Sequence, residues 1–146
     1  MGIEENIELV KRFFNDSNNM DILNDNDAHL NLTRKYMHPD YIVHHAVGDL
    51  TLEQDQQMHT MFFKAFPDIH VEIEDIFGAD DKVFARVRVT GTHTGEFQGY
   101  AATGKQISTV EAFVFHISDG KFIEAWNFLD ILTMYNQLGF APPGQR

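Results

Sequence analysis

Acid/base groups set among apolar residues are the chemistry this chain offers. Asp130 ends the run FIEAWNFLD between Leu129 and Ile131, and by strand alternation it shares a face with Trp126 and Phe128. A carboxylate facing an apolar cavity loses water, so its pKa rises and it becomes an acid/base group useful near neutrality. The competing use is to cap the helical pattern that follows, and on this residue alone capping is the stronger reading. Glu111, beside Val110, Ala112 and Phe113, poses the same question, with an outward-facing or interface carboxylate as its plainer use. His44 and His45 follow the strand-like DYIV, so one faces in and the other out. An inward neutral imidazole can relay a proton or orient a carbonyl, whereas an exposed or hydrogen-bonded structural histidine is the alternative. His93 stands among small residues and suits either a pocket-lining hydrogen bonder or a loop anchor.

Other chemistries lack their residues. The chain has no cysteine, which removes a disulfide framework, a thiol nucleophile and a thiolate metal site. No GxSxG elbow, P-loop or Rossmann glycine pattern occurs, and no helix follows GEFQG to hold a phosphate. Ser17, Ser108 and Ser118 have no evident His–acid context. His38, His44 and His45 lack the HxxxH or His-x-His spacing that sets two ligands on one metal, so no metal site is expected. Acid/base chemistry or plain binding is left.

Positioning these groups falls to a helical first half and a stranded second half. Ile3, Ile7, Val10, Phe13 and Phe14 form one helical face, which ends near 15–19. Ala28, Leu32 and Tyr36 mark a second helix over about residues 25–37, stopped by Pro39, and 40–44 is short and extended. Thr51-Leu52-Glu53-Gln54 reads as a capping box. It opens a helix whose buried stripe is Met58, Met61, Phe62, Ala65 and Phe66, and Pro67 ends it. From His70 the period drops from 3.6 to 2, predicting strands over 70–77, 82–90, 107–117 and 121–130. Tight turns fall at Asp80-Asp81 and Asp119-Gly120, and a short helix over 131–138 closes at Gly139. Helices followed by an antiparallel meander predict an α+β fold, a curved sheet with helices on one side.

The stretch 91–104, GTHTGEFQGYAATG, is far longer than the two to about five residues a hairpin needs. Its four glycines permit close backbone approach, and Phe97 and Tyr100 can pin it to an apolar surface, so it suits a pocket rim. Which acid faces that pocket depends on the turn at Asp119-Gly120. A two-residue loop sets Glu111 opposite Phe128 and Thr109 opposite Asp130. A three-residue loop with a glycine bulge is more natural for Ser-Asp-Gly-Lys. It sets Ser108 opposite Asp130, moves His116 to the Asp130 face and turns Glu111 away.

With 146 residues, 43% hydrophobic and including 13 Phe, one domain over 1–146 with a full core is expected, loose only at 1–2 and 143–146. A formal charge of -11 and few paired basic residues argue against nucleic acid or an anionic membrane as partner. Glutamates stand where a signal peptide carries cations, and no run approaches the ~20 apolar residues of a membrane span. A cytoplasmic location is expected.

AFPDIHVEIEDIF, VTGTHTGEFQGYAATGKQI, FHISDGKFIEAWNFLD and QLGFAPP together resemble the SnoaL-like polyketide cyclase (ester cyclase) family over about residues 3–142. HPDYIVHHAVG resembles its Asp-aromatic-x-x-His segment, with His44 at the family histidine. The resemblance implies an NTF2-like cone with a deep pocket at its wide end, a homodimer through the sheet face, and neither metal nor organic cofactor. It also implies an aspartate on the last strand serving as acid/base in an aldol ring closure. Asp130 holds that position, which turns the balance for it from cap to pocket. The pocket is expected to be lined by Phe13, Phe14, Phe66, Phe113, Trp126 and Phe128. Asp130 then moves a proton beside a carbonyl, while His44 and His93 hydrogen-bond the substrate oxygens. The expected guest is a mostly apolar carbonyl compound, and the reaction a cyclisation or isomerisation. A hydrolase or dehydratase on the same fold and a non-catalytic ligand carrier stay open. An Asp130 that faces the cavity and titrates above ~3.9 favours the enzyme, and one that accepts backbone N–H bonds favours the cap.

Overall fold

The computed structural model describes residues 2–140; Met1 and the loose tail expected at 143–146 lie outside them. Helix α1 (Ile3–Asp16) buries Leu9, Val10, Phe13 and Phe14 on the face its spacing predicts. Asn19 caps a single unexpected turn, α2 (Met20–Leu23), and Asp25 caps α3 (Asn26–Tyr36) by accepting from the backbone N–H groups of Asp27 and Ala28. Strand β1 (Met37–His45) follows without a loop and pairs with β2 (Gly48–Thr51), so the short extended segment expected at 40–44 is half of a hairpin. Thr51 then opens α4 (Leu52–Ala65) through the expected box. Gln54 N–H donates to Thr51 Oγ1 at 3.3 Å, and Thr51 N–H donates to Gln54 Oε1 at 3.0 Å.

The second half supplies β3 (His70–Ala79), β4 (Lys82–Thr92), β5 (Gln106–Ser118), β6 (Lys121–Leu129) and α5 (Ile131–Leu138). One curved, open sheet results, in the order β2-β1-β6-β5-β4-β3, antiparallel except where β1 meets β6. Its inner face is easiest to see on β4, where Val83, Ala85, Val87 and Val89 are buried and Phe84, Arg86 and Arg88 alternate outward. Helix α1 lies on that face, with Phe13 edge-on to Phe115 and Phe122 at 6.1 and 5.2 Å.

Register across β5 and β6 differs in form from either expected loop. Asp119 (φ 50°) and Gly120 (φ 73°) make a two-residue turn, the geometry that suits strand twist. The ladder then shifts between Ile117–Phe122 and His116–Glu124, leaving Ile123 as an extra residue. The bulge restores the parity expected of the three-residue loop. Glu111 pairs with Leu129, and His116 lies on the face of Asp130.

The loop between β4 and β5 closes a second, smaller core made of Ala65, Phe66, Phe97, Ile107, Met134 and Leu138 with the neighbouring aromatics. Phe97 is fully buried against Phe62 and Phe66, and Tyr100 stacks on Phe140 at 3.8 Å, as a pinned loop requires. The N–H groups of Thr94 and Gly95 both donate to the Ala65 carbonyl at 3.1 Å, satisfying the end of α4. A Cβ on Gly95 would sit 2.0 Å from the Lys64 carbonyl oxygen. Among the described residues no helix is long and apolar enough to cross a membrane. Gly95→Ala therefore forces the loop off the helix end; thermal denaturation should register a loss of about 1–3 kcal/mol.

Candidate functional site

A cavity of about 150 Å³ lies between α1, α3, α4 and the inner face of the sheet, roughly the volume that accepts benzene in an apolar interior. Its walls are aromatic: Phe13 and Phe14 from α1, Phe62 and Phe63 from α4, Phe113 and Phe115 from β5. Of the six residues expected to line a pocket, Phe13, Phe14 and Phe113 border this cavity. Phe66 does not, being packed at 0% exposure in the second core against His93 and Phe97. Trp126 and Phe128 belong to the outer face, because each alternates with the buried Ala125 and Asn127 on β6; Phe128 is 61% exposed.

The same parity decides the acids. Asp130 is exposed and caps α5, accepting the Thr133 N–H at 3.1 Å and the Thr133 hydroxyl at 2.7 Å. These two bonds stabilise its ionised form and lower its pKa, the opposite of what an acid/base group in a pocket requires. Asp130 therefore does not serve the cavity; of the two acids, the one that borders it is Glu111. On β5 it alternates inward with Ile107, Thr109, Phe113 and Phe115, all of which line the cavity. Glu111 is half-buried on the cavity wall, and the desolvation there raises its pKa. Asn127, also inward-facing, donates from Nδ2 to Glu111 Oε1 at 3.3 Å.

The histidines redistribute likewise. His44 points outward, its Nδ1 at 2.7 Å from Asp49 Oδ1, its Nε2 at 2.7 Å from Glu124 Oε2, and its ring against Trp126. The hydrogen bonds to Glu124 and Asp49 raise its pKa, so it is an outer-face ion-pair residue rather than a substrate donor. His45 is the inward member of the pair and lines the cavity. Burial lowers its pKa. His93 is fully buried, with Nδ1 accepting the Thr103 N–H at 3.2 Å and lying 2.9 Å from the Thr103 hydroxyl. It anchors the loop and does not reach the cavity.

Opposite Glu111 stands a polar wall absent from the expected site. Helix α4 contributes Asp55 and His59, whose Oδ1 and Nε2 are 3.5 Å apart, and α3 contributes His29, stacked on His59 at 6.4 Å. Tyr41 completes the lining, and burial holds its pKa well above 10.0, so the phenol stays protonated. The spacing Leu52, Asp55, His59, Phe62 places all four on one face of α4, a signal that reading the Met and Phe stripe as core conceals.

Desolvation first, and the charge of His59 second, lower the His29 pKa from 6.5 to about 4. Between those values the unfolded chain binds a proton that the folded form refuses. The His29 contribution to stability is therefore complete above about 6.5 and is lost as pH falls toward about 4. His29→Leu should reduce, by several degrees, the drop in melting temperature between pH 7 and pH 4.5, read by differential scanning calorimetry.

Comparisons with known proteins agree with this architecture. The SnoaL-like polyketide cyclase family model matches residues 8–138. AclR from Streptomyces galilaeus, a proposed hydroxylase, superposes with a TM-score of 0.83 at 26% identity, covering 97% of this chain and 100% of that one. IdmH from Streptomyces antibioticus, a proposed polyketide cyclase, gives 0.69 at 27% identity, covering 78% and 89%. A proposed SnoaL-like polyketide cyclase from Jannaschia sp. CCS1 gives 0.77 at 23% identity, covering 96% and 95%, a likeness of fold. No curated protein matches. With a match spanning α1 to α5 and a helix-lined cone of the NTF2-like kind behind it, the chain belongs to the SnoaL-like polyketide cyclase family.

Proposed function

We propose that the protein performs a cyclase- or isomerase-type step on a small carbonyl compound, with Glu111 as the group that takes and returns the proton beside the carbonyl. Family membership supports a small-molecule role of this type. The observation that carries the assignment is the desolvated Glu111 carboxyl facing an aromatic cavity, with one oxygen held by Asn127. A carboxylate whose pKa has risen is a stronger base when ionised, and its conjugate acid can protonate a carbon or an enolate near neutral pH. Glu111 removes the α-proton, and the C–H electron pair moves toward the carbonyl oxygen. The resulting enolate then attacks a second carbonyl or is reprotonated at another carbon.

The lining also bears on the substrate. Among the described residues no Lys or Arg borders the cavity, whereas Glu111 and Asp55 do. A guest carrying a carboxylate would be desolvated next to like charges, so an uncharged ketone or ester fits better. The aromatic walls favour a compact, flat one.

The sheet's outer face is the proposed homodimer surface. Phe77 stacks there on Phe84 at 4.8 Å, and Phe77 and Phe128 are 55% and 61% exposed. Multi-angle light scattering should find a dimer that Phe128→Glu converts to monomer; a monomeric unaltered protein rules the surface out.

Proton transfer is read directly from exchange of α-hydrogens for deuterium in 2-tetralone, a compact aryl ketone, followed by NMR. Glu111→Gln should slow catalysed exchange by about 10²- to 10⁴-fold. The raised pKa means the folded carboxyl holds its proton to higher pH than the unfolded one. Its stability contribution is complete below 4.5 and is lost as pH rises through the raised value. The same Glu111→Gln substitution should therefore raise the melting temperature at neutral pH. Asp130→Asn keeps the cap and should leave exchange unchanged. Tight binding of the ketone without exchange would make the cone a carrier.

A further inference from the structure

We propose that Asp55 and His59 form a second proton-transfer device, which serves the oxygen end of the guest while Glu111 serves its carbon. The inference rests on the reading of Glu111 given above. The capping box at Thr51 fixes the first turn of α4, so Asp55 and His59, four residues apart, share the face toward the cavity. Asp55 is 5% exposed, a carboxylate sunk beneath the helix surface. His59, with 47% of its side chain exposed, stands at the rim between cavity and solvent.

Burying a carboxylate near the Tyr41 phenol in a largely aromatic wall is costly unless a cation or donor compensates it, and Asp55 has no Lys or Arg partner among the described residues. Its partner is the His59 Nε2. That contact leaves Nδ1 as the ring nitrogen able to meet a guest, and the His29 ring lies alongside, its plane 14° from that of His59 with centroids 6.4 Å apart. His29 stays neutral and does not compete for the proton. An imidazole oriented by a carboxylate on one nitrogen and working through the other is a general acid/base arrangement. Asp55 is then a positioning residue, and His59 the catalytic one.

The step balances. The C–H bond breaks and its proton passes to Glu111, while its electron pair forms the new C=C bond and the carbonyl electrons move to oxygen. The Nδ1–H proton of charged His59 passes to that oxygen, leaving a neutral ring whose Nε2–H still faces Asp55. Ketonisation runs the same transfers backward, with Glu111 delivering its proton to the same or another carbon. His59 and Asp55 both act on the Glu111 charge, the former lowering and the latter raising its pKa, so both walls share one electrostatic environment.

Deuterium exchange of 2-tetralone measured from pH 5 to pH 9 tests the pair. The groups facing His59 are Asp55 on its own helix, His29 on α3, His45 on β1 and Glu111 on β5. The unaltered protein should show a rate that rises as Glu111 ionises and falls again in the alkaline range. His59→Gln should slow exchange about 10²-fold and abolish the falling limb. Asp55→Asn should keep that limb but lower kcat at an unchanged KM. A merely structural Asp55 would change the melting temperature and leave kcat in place. Loss of exchange in Glu111→Gln together with an unchanged profile in folded His59→Gln overturns this proposal alone. Unchanged exchange in Glu111→Gln removes the reading beneath it, and absence of exchange in the unaltered protein overturns both.

Discussion

Between His116–Glu124 and Ile117–Phe122 the β5–β6 ladder takes in one extra residue, Ile123, and a period of two makes that residue decisive. With the bulge in place, Phe122, Ala125 and Asn127 face the helices, and Glu124, Trp126 and Phe128 face away. Remove it, and a two-residue turn would swing every later side chain of β6 to the other face. The inward set could not then include Asn127 beside Glu111. The polar pair on the sheet wall therefore follows from a backbone irregularity two residues beyond a turn.

The cavity sets burial against ionisation. An apolar cone of this kind owes its stability to aromatic contacts such as Phe13 with Phe14, Phe115 and Phe122, and each carboxylate placed inside it is a cost. Glu111 meets that cost by holding its proton to higher pH and by one bond from Asn127. Asp55 meets it with a histidine. Two different compensations on opposite walls leave the two carboxylates in unlike surroundings. That asymmetry is what moving a proton from carbon to oxygen requires.

Much of the fold was legible because its signals are local. The α1 stripe, the Thr51 box, the four late strands and the Gly139 stop depend on periodicity and on caps that act within one turn. β2 was not legible, for its four residues carry no alternation of their own and pair only because β1 lies beside them. The site was harder still. β5 offers Ser108, Val110, Ala112 and Val114 on one face and Thr109, Glu111, Phe113 and Phe115 on the other, so neither set is plainly inside. The clear alternation of β4 would settle it, since Val87 pairs with Glu111, but a long loop between the strands hides that register. The family resemblance points to Asp130, but that residue lies just past the last strand, where its side chain caps α5.

Asp130 and Glu111 are two carboxylates driven in opposite directions by the same rule. At the start of α5 the helix leaves N–H groups unpaired, and a carboxylate that accepts one of them, with a neighbouring hydroxyl, is stabilised as an anion in contact with water. Such a group is a weak base and already has its partners. Glu111 is in the reverse condition, with one modest donor and a largely aromatic cavity beside it. Its anion is under-solvated, and under the proposed function a proton from a guest relieves that directly. Chemical competence in this cone thus tracks unmet solvation rather than place along the last strand. A carboxylate supplied with hydrogen bonds by its own helix has little reason to take a proton from carbon.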